Sequence, residues 1–120
     1  MNWIWFHRWT SPKLFFQKTE ILVVWFGLLA LAFIVVGTVW GLAFAPEDFK
    51  QGNSFRIFYI HVPAAILAQS IFLAMAISAA VGLIWRIKLA HVFVQVAAPI
   101  GASITLLALL TGAIWGKPTW

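Results

Sequence analysis

The sequence predicts an all-α, polytopic membrane protein with three transmembrane helices and an amphipathic N-terminal segment. Three observations carry this. Hydrophobic residues fill 63% of the 120 positions and charged residues only 9%, against about 45–50% and about 25% in soluble domains. A chain this short has too little polar surface to cover a soluble core. Three stretches of 24 residues, Ile21–Phe44, Val62–Trp85 and Val92–Trp115, contain no Asp, Glu, Lys or Arg. At about 1.5 Å per residue, each is long enough to cross a hydrocarbon layer about 30 Å thick with some tilt. The eight Lys and Arg residues sit at span ends, where basic residues set topology and meet lipid headgroups. The net charge of +5 is therefore scattered rather than gathered in one patch, which points to the lipid bilayer as partner and away from nucleic acid. With no cysteine in the chain, disulfides, thiolate metal sites and covalent haem attachment are excluded.

In chain order, residues 1–20 interleave Trp3, Trp5, Phe6 and Trp9 with His7, Arg8, Lys13 and Lys18. This predicts an interfacial segment lying on the membrane. The first span, 21–44, carries Gly37 and Gly41 in a G-x-x-x-G spacing that admits a close neighbouring helix. Ala43-Phe44-Ala45 has the look of a signal cleavage site, but the apolar stretch exceeds the about 7–15 residues of a signal core, so the span is expected to be retained. Pro46 ends it. The loop at 45–56 is the most polar part of the chain, with Glu47, Asp48, Lys50, Gln51, Asn53, Ser54 and Arg56.

The second span, 60–85, places Pro63 in its first turn, where a missing N–H costs nothing, and repeats small residues from Ala64 to Gly82. Arg86 to His91 forms a tight connection. Either charge in mid-membrane would cost about 2.5–3.5 kcal/mol, so the turn belongs at a surface. The third span, 92–115, holds Pro99 and a small-residue stripe of Ala108, Gly112 and Gly116. Five basic residues (Arg8, Lys13, Lys18, Arg86, Lys88) mark one side and three (Lys50, Arg56, Lys117) the other. The positive-inside rule makes the first side cytoplasmic. The N-terminus is then cytoplasmic, while the 45–56 loop, His61 and the C-terminus lie outside.

Few residues can carry chemistry. There is no phosphate-binding loop, zinc-protease helix or nucleophile elbow, and all three acidic residues lie outside the spans. An autonomous enzyme is not expected. His61, at the outer mouth of the second span with Gln69 two turns deeper, has two readings. It is an interfacial imidazole bonded to a neighbouring carbonyl, or an axial ligand to haem iron. Arg56 either holds a lipid phosphate or pairs with a porphyrin propionate. The outer aromatics, Tyr59 and Trp115 among them, form an ordinary membrane belt or a platform for a porphyrin face. His7 and His91 are expected to be interfacial, on the cytoplasmic side.

The run Phe44-Ala45-Pro46 to Gln51-Gly52-Asn53-Ser54, followed by Arg56-Ile57 and Tyr59-Ile60-His61-Val62-Pro63-Ala64-Ala65, resembles the haem exporter protein C (CcmC) family of cytochrome c maturation. So do Gly82 to Lys88, Ala98 to Ala102 and Thr111 to Pro118. The resemblance runs from about Trp40 to the end of the chain. It implies a multi-pass protein of the bacterial inner membrane that is not an enzyme. Such a protein holds haem b non-covalently at the outer face and presents it to the haem chaperone CcmE, with CcmD and the transporter subunits CcmA and CcmB as partners. On this likeness His61 matches the first of two haem-ligating histidines, with Arg56 and Tyr59 beside it. The family's tryptophan-rich segment and second histidine fall beyond Trp120, so the chain resembles a front half. The alternative expectation is a three-span structural subunit with no ligand of its own.

Overall fold

A computed structural model describes residues 10–117. Trp3, Trp5, Phe6, His7, Arg8 and Trp9, which carry most of the expected interfacial segment, and Trp120 lie outside the described residues. Three helices follow: α1 (Pro12–Val39), α2 (Phe58–Trp85) and α3 (Lys88–Gly116). With the turns that extend them, the stretches Pro12–Phe44, Asn53–Trp85 and Lys88–Gly116 are each long and apolar enough to cross a membrane. The chain is a multi-pass helical membrane protein.

Ser11 is extended and Pro12 opens α1, a position where its fixed φ and absent N–H suit a helix start. Residues 12–20 therefore continue directly into the first span, with no break at residue 21. A π-helical turn, Trp40–Phe44, closes the helix with a 3.0 Å bond from Ala45 N–H to the Trp40 carbonyl. Ala45 is extended, as the residue before a proline must be.

The described core has an unusual composition. Its buried residues are Gly41, Ala45, Ala64, Ala68, Gly82, Ala97, Gly101, Ala108 and Gly116, all alanine or glycine. Large apolar side chains point outward instead, Phe33 at 76% exposure and Leu83 at 73%. In water this arrangement would forfeit the hydrophobic effect. In lipid it is the economical one, because acyl chains solvate Leu and Phe while small residues let backbones approach.

Antiparallel helices α2 and α3 form the tight pair. Their register is marked by close approaches: a Cβ built on Gly82 would lie 2.9 Å from His91 Cε1, one on Gly101 3.0 Å from Ile71 Cγ2, and one on Gly112 2.8 Å from His61 Cε1. No residue of α1 itself is buried. Contact with the pair is closest at the π turn, where a Cβ on Gly41 would lie 2.6 Å from Tyr59 Cβ. Gly37, its partner in the G-x-x-x-G spacing, has nothing within 4 Å.

Two boundaries differ from the sequence reading. Pro63 lies inside α2 rather than in its first turn, because a 3-10 turn at Asn53–Ile57 already coils the chain and starts the helix at Phe58. The Tyr59 carbonyl thereby loses its N–H partner four residues on, a loss membrane helices tolerate where neighbours re-satisfy the group. The connection between α2 and α3 is also shorter than expected. Only Arg86 and Ile87 are non-helical, with Arg86 in the left-handed conformation (φ 52°) that reverses the chain.

Candidate functional site

The 45–56 loop is built to hold one shape. Asp48 Oδ1 accepts from the Lys50 N–H (2.9 Å) and the Gln51 N–H (2.8 Å), an Asx-type turn that an aspartate makes with its own backbone. Gly52, at φ 56° and ψ −138°, adopts a backbone that a Cβ would disfavour. It pairs with Asp48 in both directions, at 2.9 and 3.3 Å. Arg56 Nε–H donates to the Ala45 carbonyl at 3.0 Å, tying the end of the loop to its beginning.

This frame delivers Gln51 to the outer end of α3. Its Oε1 accepts from the Trp115 indole N–H at 2.6 Å. Trp115 in turn lies 5.6 Å from the His61 ring and 5.6 Å, edge-on, from Phe58. Phe58 stacks on Phe55 at 5.3 Å, and Tyr59 meets both edge-on. A cleft of about 550 Å³ opens among Gln51, His61, Leu109, Gly112, Ala113 and Trp115. That size falls within the range of about 300–1,000 Å³ of small-molecule sites.

Among the described residues, His61 is the only titratable one on the cleft wall. Its Nδ1 lies 3.0 Å from the Ala108 carbonyl and 3.2 Å from Thr111 Oγ1. The Thr111 hydroxyl donates to the Leu107 carbonyl at 2.7 Å, so its oxygen faces His61 as an acceptor. A carbonyl also only accepts. In the neutral imidazole Nδ1 therefore carries the hydrogen, and Nε2 keeps its lone pair. Metal-binding histidines are commonly prepared this way, one ring N–H bonded to a backbone carbonyl and the other nitrogen free to coordinate. Gly112 makes the placement possible, since the imidazole occupies the space a side chain there would fill.

The other expected site residues separate from His61. Arg56 spends its Nε–H on the loop. Tyr59 packs over Gly41 and lines a different groove with Phe33, Gly37, Thr38, Pro63 and Leu107, about 420 Å³ in volume. Gln69 is exposed and lines neither space. His91 sits over Gly82 at the opposite end of the helical pair. Among the described residues no group of three His, Cys, Asp or Glu is placed to hold a metal ion, and of these residue types the described lining of the cleft contains His61. The part of the site the sequence reading left unassigned is the set of residues that seats the His61 ring, Ala108, Thr111 and Gly112. The available signal was the small-residue stripe of α3, which reads first as a helix-packing surface.

Relatives of the chain share this segment. The family model described as heme exporter protein C matches residues 5–120. A curated heme exporter protein C from Haemophilus influenzae is 50% identical over 118 residues, covering 98% of this chain and 48% of that protein. The Escherichia coli protein of the same name is 43% identical over 118 residues, again 98% and 48%, and that of Paracoccus denitrificans 41% over 113 residues, 94% and 46%. The chain thus spans about half the length of the curated relatives it matches. No solved structure matches it. By sequence along almost its whole length, the chain belongs to the heme exporter protein C family.

Proposed function

We propose that the chain holds haem b, without a covalent bond, at the outer face of the bacterial inner membrane, as cargo for c-type cytochrome biogenesis. The observation that carries this reading is His61, whose Nδ1–H is bonded to the Ala108 carbonyl so that Nε2 is free to ligate iron beside an aromatic and small-residue cleft. The residues fit the cargo. Gly112, Ala113 and Gly116 leave room against the cleft wall, Trp115 offers an indole face, and a neutral imidazole is a usual axial ligand of haem iron. One outer histidine supplies at most one axial position, so a second imidazole ligand, in a bis-histidine complex, comes from another chain or segment. Arg56 keeps its terminal guanidinium nitrogens for a propionate while Nε holds Ala45, and Tyr59 supports α1 behind the site. The same proposal includes delivery to the haem chaperone CcmE and assembly with CcmD, CcmA and CcmB, supported by the name heme exporter protein C that the relatives carry. In this reading the chain is a carrier and not an enzyme, with its N-terminus cytoplasmic and the 45–56 loop and C-terminus periplasmic.

The test is haem titration of the detergent-purified chain, followed by absorbance. His61→Ala should abolish the ligated haem spectrum, while His7→Ala and His91→Ala should leave it intact. If His61→Ala binds haem with an unchanged spectrum, the reading fails. A second reading, a scaffold subunit, draws on α1. No residue of α1 is buried, and a Cβ built on Gly37 would meet no described residue within 4 Å, which leaves room for a partner helix against α1.

A further inference from the structure

The two ends of the α2–α3 pair repeat one device with a single difference. At the outer end the His61 ring lies over Gly112, and at the inner end the His91 ring lies over Gly82. Each histidine stands near the start of one helix and its glycine near the end of the other. The approach is nearly the same, Cε1 at 2.8 Å from a Cβ built on Gly112 and 2.9 Å from one on Gly82. Yet only the outer ring is hydrogen-bonded. His61 Nδ1 faces the Ala108 carbonyl and Thr111 Oγ1, whereas His91 has no hydrogen-bond partner among the described residues. The residue just before the glycine differs too: Thr111 at the outer end, Val81 at the inner.

We propose that Thr111 is a positioning residue that fixes the tautomer and rotation of the His61 imidazole. Its hydroxyl hydrogen goes to a helix carbonyl, Leu107 at 2.7 Å or Ala108 at 3.2 Å, which leaves an Oγ1 lone pair to accept from Nδ1–H. A ring nitrogen between a carbonyl and such an oxygen is stabilised only when protonated, so the Nε2 lone pair is held toward the cleft. Ala108 alone would offer one acceptor, and the ring could turn about its χ2 bond away from it. The two acceptors lie together on one face of α3, Thr111 Oγ1 3.2 Å from the Ala108 carbonyl oxygen, and a rotated ring loses both. The importance of this for haem rests on His61 being the iron ligand, but the arrangement belongs to the ligand-free protein and is measurable there.

The experiment is nitrogen NMR of the full chain, labelled with 15N-histidine, in a His7→Gln, His91→Gln background so that one imidazole reports. The parent and Thr111→Ser should show the Nδ1–H tautomer. Thr111→Val should lower the ratio of Nδ1–H to Nε2–H by roughly two- to tenfold, the span of one net hydrogen bond. Equal ratios in the Val and Ser variants, or an Nε2–H parent, would overturn the proposal. If the Val variant loses its helical circular dichroism, Thr111→Ala against Thr111→Ser makes the same comparison. Haem titration of the corresponding single Thr111 variants with all histidines present separates the two readings. A locked tautomer with no haem binding refutes the haem reading and supports the role of Thr111. Haem binding with an unaltered tautomer in the Val or Ala variant refutes the role of Thr111 alone.

Discussion

Gly112→Ala is the substitution whose consequence the structure makes most specific. The added Cβ would stand 2.8 Å from His61 Cε1, below the 3.0 Å that real Cβ contacts respect. The helix backbone on either side is fixed by its ladder, so the imidazole has to move. In the ligand-free protein it can do so by swinging toward the cleft, giving up its Nδ1–H bond, about 0.5–1.5 kcal/mol. With haem bound, iron also fixes Nε2, and the same swing costs the coordination geometry as well. Overpacking of this kind costs about 1–3 kcal/mol. Falling on the bound state, that lowers haem affinity roughly five- to hundredfold. Gly82→Ala is the matched control, because its Cβ would meet His91 at 2.9 Å in the same way. Haem titration and thermal unfolding in detergent are measured on both variants. The expected pattern is comparable loss of melting temperature in the two, with loss of haem affinity confined to Gly112→Ala. Equal affinity losses would mean that the haem effect is a general weakening of the helical pair, and the argument for a histidine placed by glycine would fail.

Other outcomes follow from the loop, the first helix and the orientation. Gln51→Leu removes the acceptor of the Trp115 indole N–H, and the cycle with Trp115→Phe should give a coupling of about 0.5–1.5 kcal/mol in thermal stability; strictly additive losses would contradict a bond between them. Gly41→Ala meets Tyr59 at 2.6 Å while Gly37→Ala meets nothing, so only the first should loosen α1, reported by reduced cross-linking between cysteines placed at Thr38 and Ile60. Because the chain has no native cysteine, an impermeant thiol reagent added outside should label Phe49→Cys, fully exposed at the loop tip, and not Leu89→Cys. The reverse pattern would place His61 on the cytoplasmic side.

What the sequence made legible divides along physical lines. Spans are visible because each excludes charge over a length that lipid demands, a local property that needs no knowledge of neighbours. The start of α2 is not local. Whether Asn53–Ile57 coils or extends depends on the loop closing on itself through Arg56 and Ala45 and on Gln51 reaching Trp115, contacts 11 and 64 residues apart. His61 could be singled out as a candidate from its chemistry, but its two readings turn out to be compatible. The bond to a neighbouring carbonyl, the bland alternative, is what frees Nε2 for a metal. Which carbonyl is involved depends on the register of α2 against α3. Repeated small residues on both helices permit several registers, and the one adopted is marked by a histidine over a glycine at each end. Arg56 and Tyr59 lie close to His61 in sequence, yet the loop ties Arg56 Nε to the Ala45 carbonyl and the helical turn sends Tyr59 to another groove.

The central claim, that the free nitrogen of His61 ligates haem iron, is tested most directly by electron–nuclear double resonance on the ferric haem complex. The chain is labelled with 15N-histidine and carries His7→Gln and His91→Gln, leaving His61 as its sole imidazole. The account predicts one strongly coupled 15N axial nitrogen, lost in His61→Gln. A complex of normal affinity that shows no 15N coupling would contradict it.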